Sequence, residues 1–229
     1  MNRSFKRCLI TGIGGSGGSY LAEYILKRSP KTKIFGFYRS TGYSTYLKKN
    51  YKSKISITKI DLKNFKNLKK KLNIIKPDVV FHLASNADVR NSFFEALKFS
   101  ENNNMITVNL LEALRRINSK AIIVICSTSE VYGNVPKSKL PINELQEIAP
   151  INPYAVTKTF QDLISQVYFK SFNLNIIITR MFSYTNARRK NLFQTSFARQ
   201  IVEIEKGRLK FLKHGNLKSV RTFVDIEDA

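Results

Sequence analysis

The stretch Cys8-Leu9-Ile10-Thr11-Gly12-Ile13-Gly14-Gly15-Ser16-Gly17-Gly18 decides the fold. A short apolar run leads into a glycine-dense turn, and Tyr20, Leu21, Tyr24 and Ile25 then follow at helical spacing. Strand, tight turn and helix N-terminus in that order bring backbone N–H groups and the positive helix end onto a pyrophosphate. The glycines fit two registers, Gly12/Gly14/Gly17 and the wider Gly12/Gly15/Gly18. The competing reading is a flexible loop without a ligand, which its place directly after a first strand disfavours.

Working outward, apolar runs bounded by turn signals fall at 8–11, 33–38, 55–60, 79–84, 121–127 and 175–182. Helical periodicity occupies the intervals near 18–28, 64–75, 93–117 and 153–172. This alternation predicts an α/β fold, a doubly wound parallel sheet of the Rossmann kind. Past residue 182 the pattern changes: 191–206 reads as a helix ended by Gly207, and 208–212 as a short strand. The expected organisation is a dinucleotide-binding, catalytic domain over 1–182 and an incomplete substrate-binding region over 183–229.

In such sheets the ligand lies beyond the carboxyl ends of the strands, and an acidic residue after the second strand usually binds the ribose 2′-hydroxyl. Here Lys33-Ile34-Phe35-Gly36-Phe37-Tyr38-Arg39-Ser40 has no carboxylate. Arg39 offers a cation suited to a 2′-phosphate, which favours NADP over NAD; the alternative is one more surface cation. Asp61-Leu62, after the third run, suits an adenine contact or an ordinary loop. Ala84 ends the fourth.

The 229 residues, 43% of them hydrophobic, allow one full α/β domain and part of another. There are no internal repeats and no apolar stretch long enough to span a bilayer. The basic N-terminus lacks the unbroken apolar run of a signal peptide. Cys8 and Cys126 fall in separate core strands without metal-ligand spacing, as reduced cysteines of a cytoplasmic protein do. The formal charge of +23 raises nucleic-acid binding. The lysines are dispersed, however, and Lys63, Lys66, Lys69, Lys70 and Lys71 read as one solvated helix face. The field suits doubly anionic small ligands instead.

Two further runs carry the chemistry: Ser127-Thr128-Ser129-Glu130-Val131-Tyr132-Gly133 and Asn152-Pro153-Tyr154-Ala155-Val156-Thr157-Lys158. Tyr154 and Lys158, four apart on a helix, share one face. A fixed ammonium favours the phenolate and brings a tyrosine pKa of about 10 toward working range. The pair suits removal of a hydroxyl proton while a hydride leaves the same carbon.

Together the glycine loop, Phe81-His82-Leu83-Ala84, the two runs above and Arg221-Thr222-Phe223-Val224-Asp225 resemble an extended short-chain dehydrogenase/reductase of the nucleotide-sugar epimerase/dehydratase family. The resemblance is nearest to GDP-mannose 4,6-dehydratases, while Val135-Pro136 and Asn152 to Lys158 look closer to GDP-6-deoxy-4-keto-mannose reductases. It favours the wider glycine register. It implies that Tyr154 is the base toward the C4 hydroxyl and that Lys158 lowers its pKa and bonds the nicotinamide ribose. Thr128 would bind the sugar oxygen undergoing oxidation, and Glu130 would take the C5 proton. The same resemblance implies cofactor contacts from Gly12, Gly15, Gly18, Arg39, Asp61, Leu62, Ala84, Tyr154, Lys158 and Arg188, the last across a subunit interface of a dimer or tetramer. Ser183 and Arg221 would meet a nucleotide-sugar substrate, Arg221 at its diphosphate. No metal, membrane or nucleic-acid partner is implied. Ser183 stands where the family has Asn, Asn186-Ala187 where it has Gly-Pro, and Thr222 where it has an acidic residue. Glu130 separates elimination from simple reduction, since only elimination needs a second base.

Overall fold

The computed structural model describes residues 5–189, 192–218 and 220–229. Its chain divides into two compact units, Met1–Met181 and Phe182–Ala229. The first is built on six strands: β1 (Arg7–Thr11), β2 (Lys33–Tyr38), β3 (Ile55–Lys59), β4 (Val79–His82), β5 (Ile122–Cys126) and β6 (Asn175–Thr179). All neighbours pair in parallel, in the order β3-β2-β1-β4-β5-β6. That is the dinucleotide-fold order, with its reversal between β1 and β4.

Alternation along the strands feeds two cores, one on each face. From β1, Leu9 joins Phe37, Leu68, Leu72, Leu110, Leu111 and Ile123, while Cys8 and Ile10 join Ile13, Ala22, Leu26, Ile34 and Leu47. The first cluster is roofed by α3 (Phe65–Ile75), α5 (Ala96–Arg116) and α6 (Pro153–Phe172), the second by α1 (Ser16–Arg28) and α2 (Ser44–Tyr51). Each fully buried leucine or isoleucine contributes about 1.5–3 kcal/mol. Among the described residues no helix is long and apolar enough to cross a membrane.

Several elements differ from the sequence expectation. The segment expected as one helix over 93–117 is two, α4 (Val89–Phe94) and α5, broken at Glu95 and begun by Asp88, whose carboxylate accepts from the Asn91 N–H at 3.0 Å. Helix α2 carries no capping side chain and only a short apolar stripe, so its sequence gives little sign of it. Strands expected to run to 60, 84, 127 and 182 stop sooner, because the chain leaves the sheet to form the ligand-facing loops.

The second unit holds α7 (Phe193–Glu205) and a parallel pair, β7 (Ser183–Thr185) with β8 (Phe223–Asp225). The expected start of α7 at Asn191 lies outside the described residues. The expected strand over 208–212 is absent: Leu209 and Phe211 are exposed, and alternation without a partner edge does not make a strand.

Candidate active site

Five strands deliver a sequence-predicted residue just past their carboxyl ends. Gly12 follows β1, Arg39 β2, Asp61 and Leu62 β3, Ala84 β4 and Thr128 β5. A cleft on that edge is lined by Gly12, Gly15, Arg39, Asp61, Leu62 and Ala84. Gly12 has φ +73°, and a Cβ there would stand 2.8 Å from the Ala84 nitrogen. Gly15 caps α1 in extended conformation. Gly18 is buried, with a Cβ position only 2.5 Å from the Gly12 carbonyl oxygen, so side chains at 12 or 18 would fill the turn. The 39–43 loop rests on the same turn, the Tyr43 N–H donating to the Gly14 oxygen at 2.8 Å.

Arg39 is exposed and donates through Nη1 to Asn102 Oδ1 (2.6 Å) and through Nη2 to Asn86 Oδ1 (3.4 Å). The Asp61 carboxylate accepts from the Lys63 N–H at 2.9 Å and so shapes its own loop. Three asparagines of α5, none foreseen from sequence, brace these loops. Asn102 holds Arg39. Asn103 accepts from the Asn86 N–H (2.7 Å) and donates to the Asn86 carbonyl and to Thr157 Oγ1. Asn109 Nδ2 donates to the Leu62 and Lys63 carbonyls, each at 3.0 Å. Their signal was polarity on positions where a buried helix face should be apolar.

Behind the cleft runs a buried relay whose directions can be assigned. Thr107 Oγ1 donates to the Asn103 carbonyl and therefore accepts from Gln161 Nε2 and from His82 Nε2–H. His82 Nδ1 then accepts from Thr11 Oγ1 (2.8 Å), which itself accepts from the Ala84 N–H. The imidazole is neutral: burial, reinforced by the Lys158 charge, brings its pKa down to about 3.

Helix α6 begins at Asn152, whose Oδ1 accepts from the Ala155 N–H at 2.8 Å, with Pro153 in the first turn. Tyr154 and Lys158 follow one turn apart. Lys158 is 4% exposed, its ammonium donates to the Cys126 carbonyl at the end of β5, and burial pushes its pKa below the usual lysine range. The Tyr154 carbonyl accepts from Thr157 Oγ1, which Asn103 also reaches. Thr128 caps the short 3-10 turn Ser129–Tyr132, accepting from the Glu130 N–H at 3.3 Å. Glu130 Oε2 accepts from Asn152 Nδ2 at 3.0 Å. Next to Thr128, Ser127 Oγ is buried without a hydrogen-bond partner. The end of β5 and the start of α6 are thus joined through Glu130 to Asn152 and through Lys158 to the Cys126 carbonyl, with Tyr154 two residues past the helix cap.

In the second unit, Ser183 opens β7 and is exposed. Asn186 Oδ1 accepts from the Arg188 N–H at 3.0 Å, so the asparagine that replaces the expected Gly-Pro forms the turn itself. Arg221 is exposed, its Nη1 3.4 Å from the Val220 carbonyl oxygen.

Residues 9–229 match the family model described as GDP-mannose 4,6 dehydratase. A dTDP-D-glucose 4,6-dehydratase of Dictyostelium discoideum is 32% identical over 97% of the chain and 53% of its own length. The human GDP-mannose 4,6 dehydratase is 30% identical over the whole chain and 63% of its own length. The chain therefore spans between about half and two thirds of these relatives. Among solved structures, UDP-glucuronic acid 4-epimerase from Bacillus cereus, in complex with UDP-glucuronic acid and NAD, superposes with TM-score 0.82 at 31% identity, over 97% of this chain and 70% of that one. The chain belongs to the GDP-mannose 4,6 dehydratase family, among the nucleotide-sugar epimerases and dehydratases of the short-chain dehydrogenase/reductase type.

Proposed function

We propose that this chain carries the cofactor-binding and catalytic part of a nucleotide-sugar 4,6-dehydratase acting on GDP-mannose with NADP. The observation that carries the reading is Glu130, a carboxylate that accepts a hydrogen bond from Asn152, the cap of the helix that bears Tyr154 and Lys158.

The turn at Gly12, Gly15 and Gly18 fits a pyrophosphate, since side chains at Gly12 and Gly18 would strike the backbone that forms it. The Bacillus cereus neighbour was solved with NAD, which supports a nicotinamide dinucleotide here. Arg39, with no carboxylate at the end of β2, supports the 2′-phosphorylated form. Such a dinucleotide supplies a hydride acceptor that gives the hydride back within one turnover. Tyr154 takes the C4 hydroxyl proton, and Lys158, fixed on the Cys126 carbonyl, holds positive charge beside it. Thr128 orients the C4 oxygen. Glu130 removes the C5 proton, acidic once C4 is a ketone, and the C6 hydroxyl departs as water. Leu62 and Ala84 line the cofactor cleft with Asp61. In the second unit we assign Arg221 to the substrate diphosphate, Ser183 to the sugar, and Arg188 to a neighbouring protomer's cofactor in a homo-oligomer.

The test is incubation with NADP and GDP-mannose. A 4-keto-6-deoxy product without net NADPH consumption is expected. Stoichiometric NADPH oxidation with a keto-sugar instead identifies a reductase, for which Thr128, Tyr154 and Lys158 suffice. Glu130→Gln should slow elimination roughly 10²- to 10⁴-fold while cofactor reduction by the sugar continues; normal dehydration by this variant overturns the reading.

A further inference from the structure

Asn152 does two things with one amide. Its oxygen accepts from the Ala155 N–H at 2.8 Å and caps α6, while its Nδ2 donates to Glu130 Oε2 at 3.0 Å. The residue is 7% exposed; its cap bond is buried and its bond to Glu130 is half-buried. The approach is built into the backbone. The Ala149 N–H donates to the Val131 carbonyl at 2.9 Å, joining the segment before Asn152 to the turn that carries Glu130. Gly133, at φ +62°, permits that approach, because a Cβ there would stand 2.0 Å from the Ala149 carbonyl oxygen.

Capping does not require asparagine. Serine and aspartate cap as well, but aspartate has no donor and serine's one hydroxyl oxygen would have to cap and donate at once from a shorter side chain, whereas the amide holds acceptor and donor on separate atoms. We propose that Asn152 is a positioning residue for the second base: it ties the Glu130 carboxylate to the start of the helix bearing Tyr154, so that the groups acting at C4 and C5 keep a fixed separation. This rests on the dehydratase reading, in which Glu130 takes the C5 proton. A carboxylate on a one-turn 3-10 segment is otherwise free about its side-chain torsions, and a charge-assisted bond selects one orientation. Its loss should fall on the C5 step and spare C4 oxidation.

Asn152→Ser and Asn152→Asp both retain the cap, and Asn152→Ser should melt within a few degrees of wild type. Exchange of solvent deuterium into C5 should fall about 10- to 100-fold in Asn152→Ser, as for a base displaced by about an ångström, and further in Asn152→Asp. Single-turnover cofactor reduction should stay within about threefold in both. A merely capping residue would leave C5 exchange unchanged in both variants, which overturns the proposal. A second arm needs no turnover. The introduced carboxylate would face Glu130 across a hydrogen-bond distance, so Asn152→Asp should melt below Asn152→Ser, and adding Glu130→Gln should remove the difference. Additive effects would overturn the proposal whatever the enzyme does. Coupling without any 4-keto-6-deoxy product would overturn the dehydratase reading and the base role with it, leaving the pair as a structural clamp.

Discussion

In Met1–Met181 several polar side chains of the site are tied into a buried frame, although Arg39 and Asp61 are exposed, whereas in Phe182–Ala229 Ser183 and Arg221 ride on the surface. Lys158, Asn102, Asn103 and Asn152 are buried and bonded to loops or helix ends. Helix α7 buries no residue, and Phe193, Phe211, Phe223 and Val224 are all exposed. The ion pairs show the same contrast. Arg180 grips Asp162 through Nε (2.7 Å) and Nη2 (3.2 Å) with side chains 16% and 0% exposed, while Arg208 and Glu203 meet at 3.3 Å with 64% and 37% exposed. The frame lies around the groups proposed for proton transfer; Arg221 and Ser183, proposed to meet the substrate, sit outside it.

The sharpest way to break this contrast is by kinetics. Tyr154→Phe should lower turnover by about 10³-fold or more while NADP affinity, read by calorimetry, stays within about threefold. Arg221→Ala should instead raise KM for the nucleotide sugar about tenfold with little change in kcat. If Arg221→Ala lowers kcat as far as Tyr154→Phe does, the division between frame and surface is wrong.

Next comes stability. Arg180→Ala leaves a buried carboxylate without its cation and should cost about 3–5 kcal/mol in urea unfolding. Arg208→Ala breaks an exposed pair and should cost no more than about 0.5 kcal/mol. Comparable losses would mean that the second unit is framed after all.

Acid sensitivity comes last. His82 is neutral when folded, with a pKa of about 3, and takes up a proton near 6.5 when unfolded. A base whose folded pKa is depressed contributes its stability above the unfolded value and loses it as pH falls. Between pH 7 and 5 this one residue should remove roughly 2 kcal/mol. Glu112, held at about 2 chiefly by its hydrogen bond from Arg115, adds a further loss only below about pH 4.5. A His82→Gln chain whose stability falls as steeply between pH 7 and 5 as the wild type's would remove the imidazole from this account.

Much of the first unit was legible because both faces of its sheet are covered. Strands buried on each side read as unbroken apolar runs, and α6 announced both ends, with Asn152-Pro153 at its start and Asn173 left-handed at its stop. The unit's irregular parts were not: α2 lacks a cap, and the break at Glu95 interrupts a continuous periodicity. β7 and β8 are three residues each, too short for any period, and meet only through a distant register. At the site, the residues proposed to perform chemistry lie in motifs, so Thr128, Glu130, Tyr154 and Lys158 stood out. Asn102 and Asn103 left only polarity on a helix face that should be apolar, and Asn86 and Arg180 act through contacts distant in sequence, which leave no local trace.

The relay from Ala84 through Thr11 and His82 to Thr107 has a polarity: each link takes a proton-bearing group from one neighbour and presents one to another. Valine would keep the shape at either position but remove two bonds at 11 and three at 107, while serine would keep the sense of the chain. Change along this line is thus admissible only in matched steps.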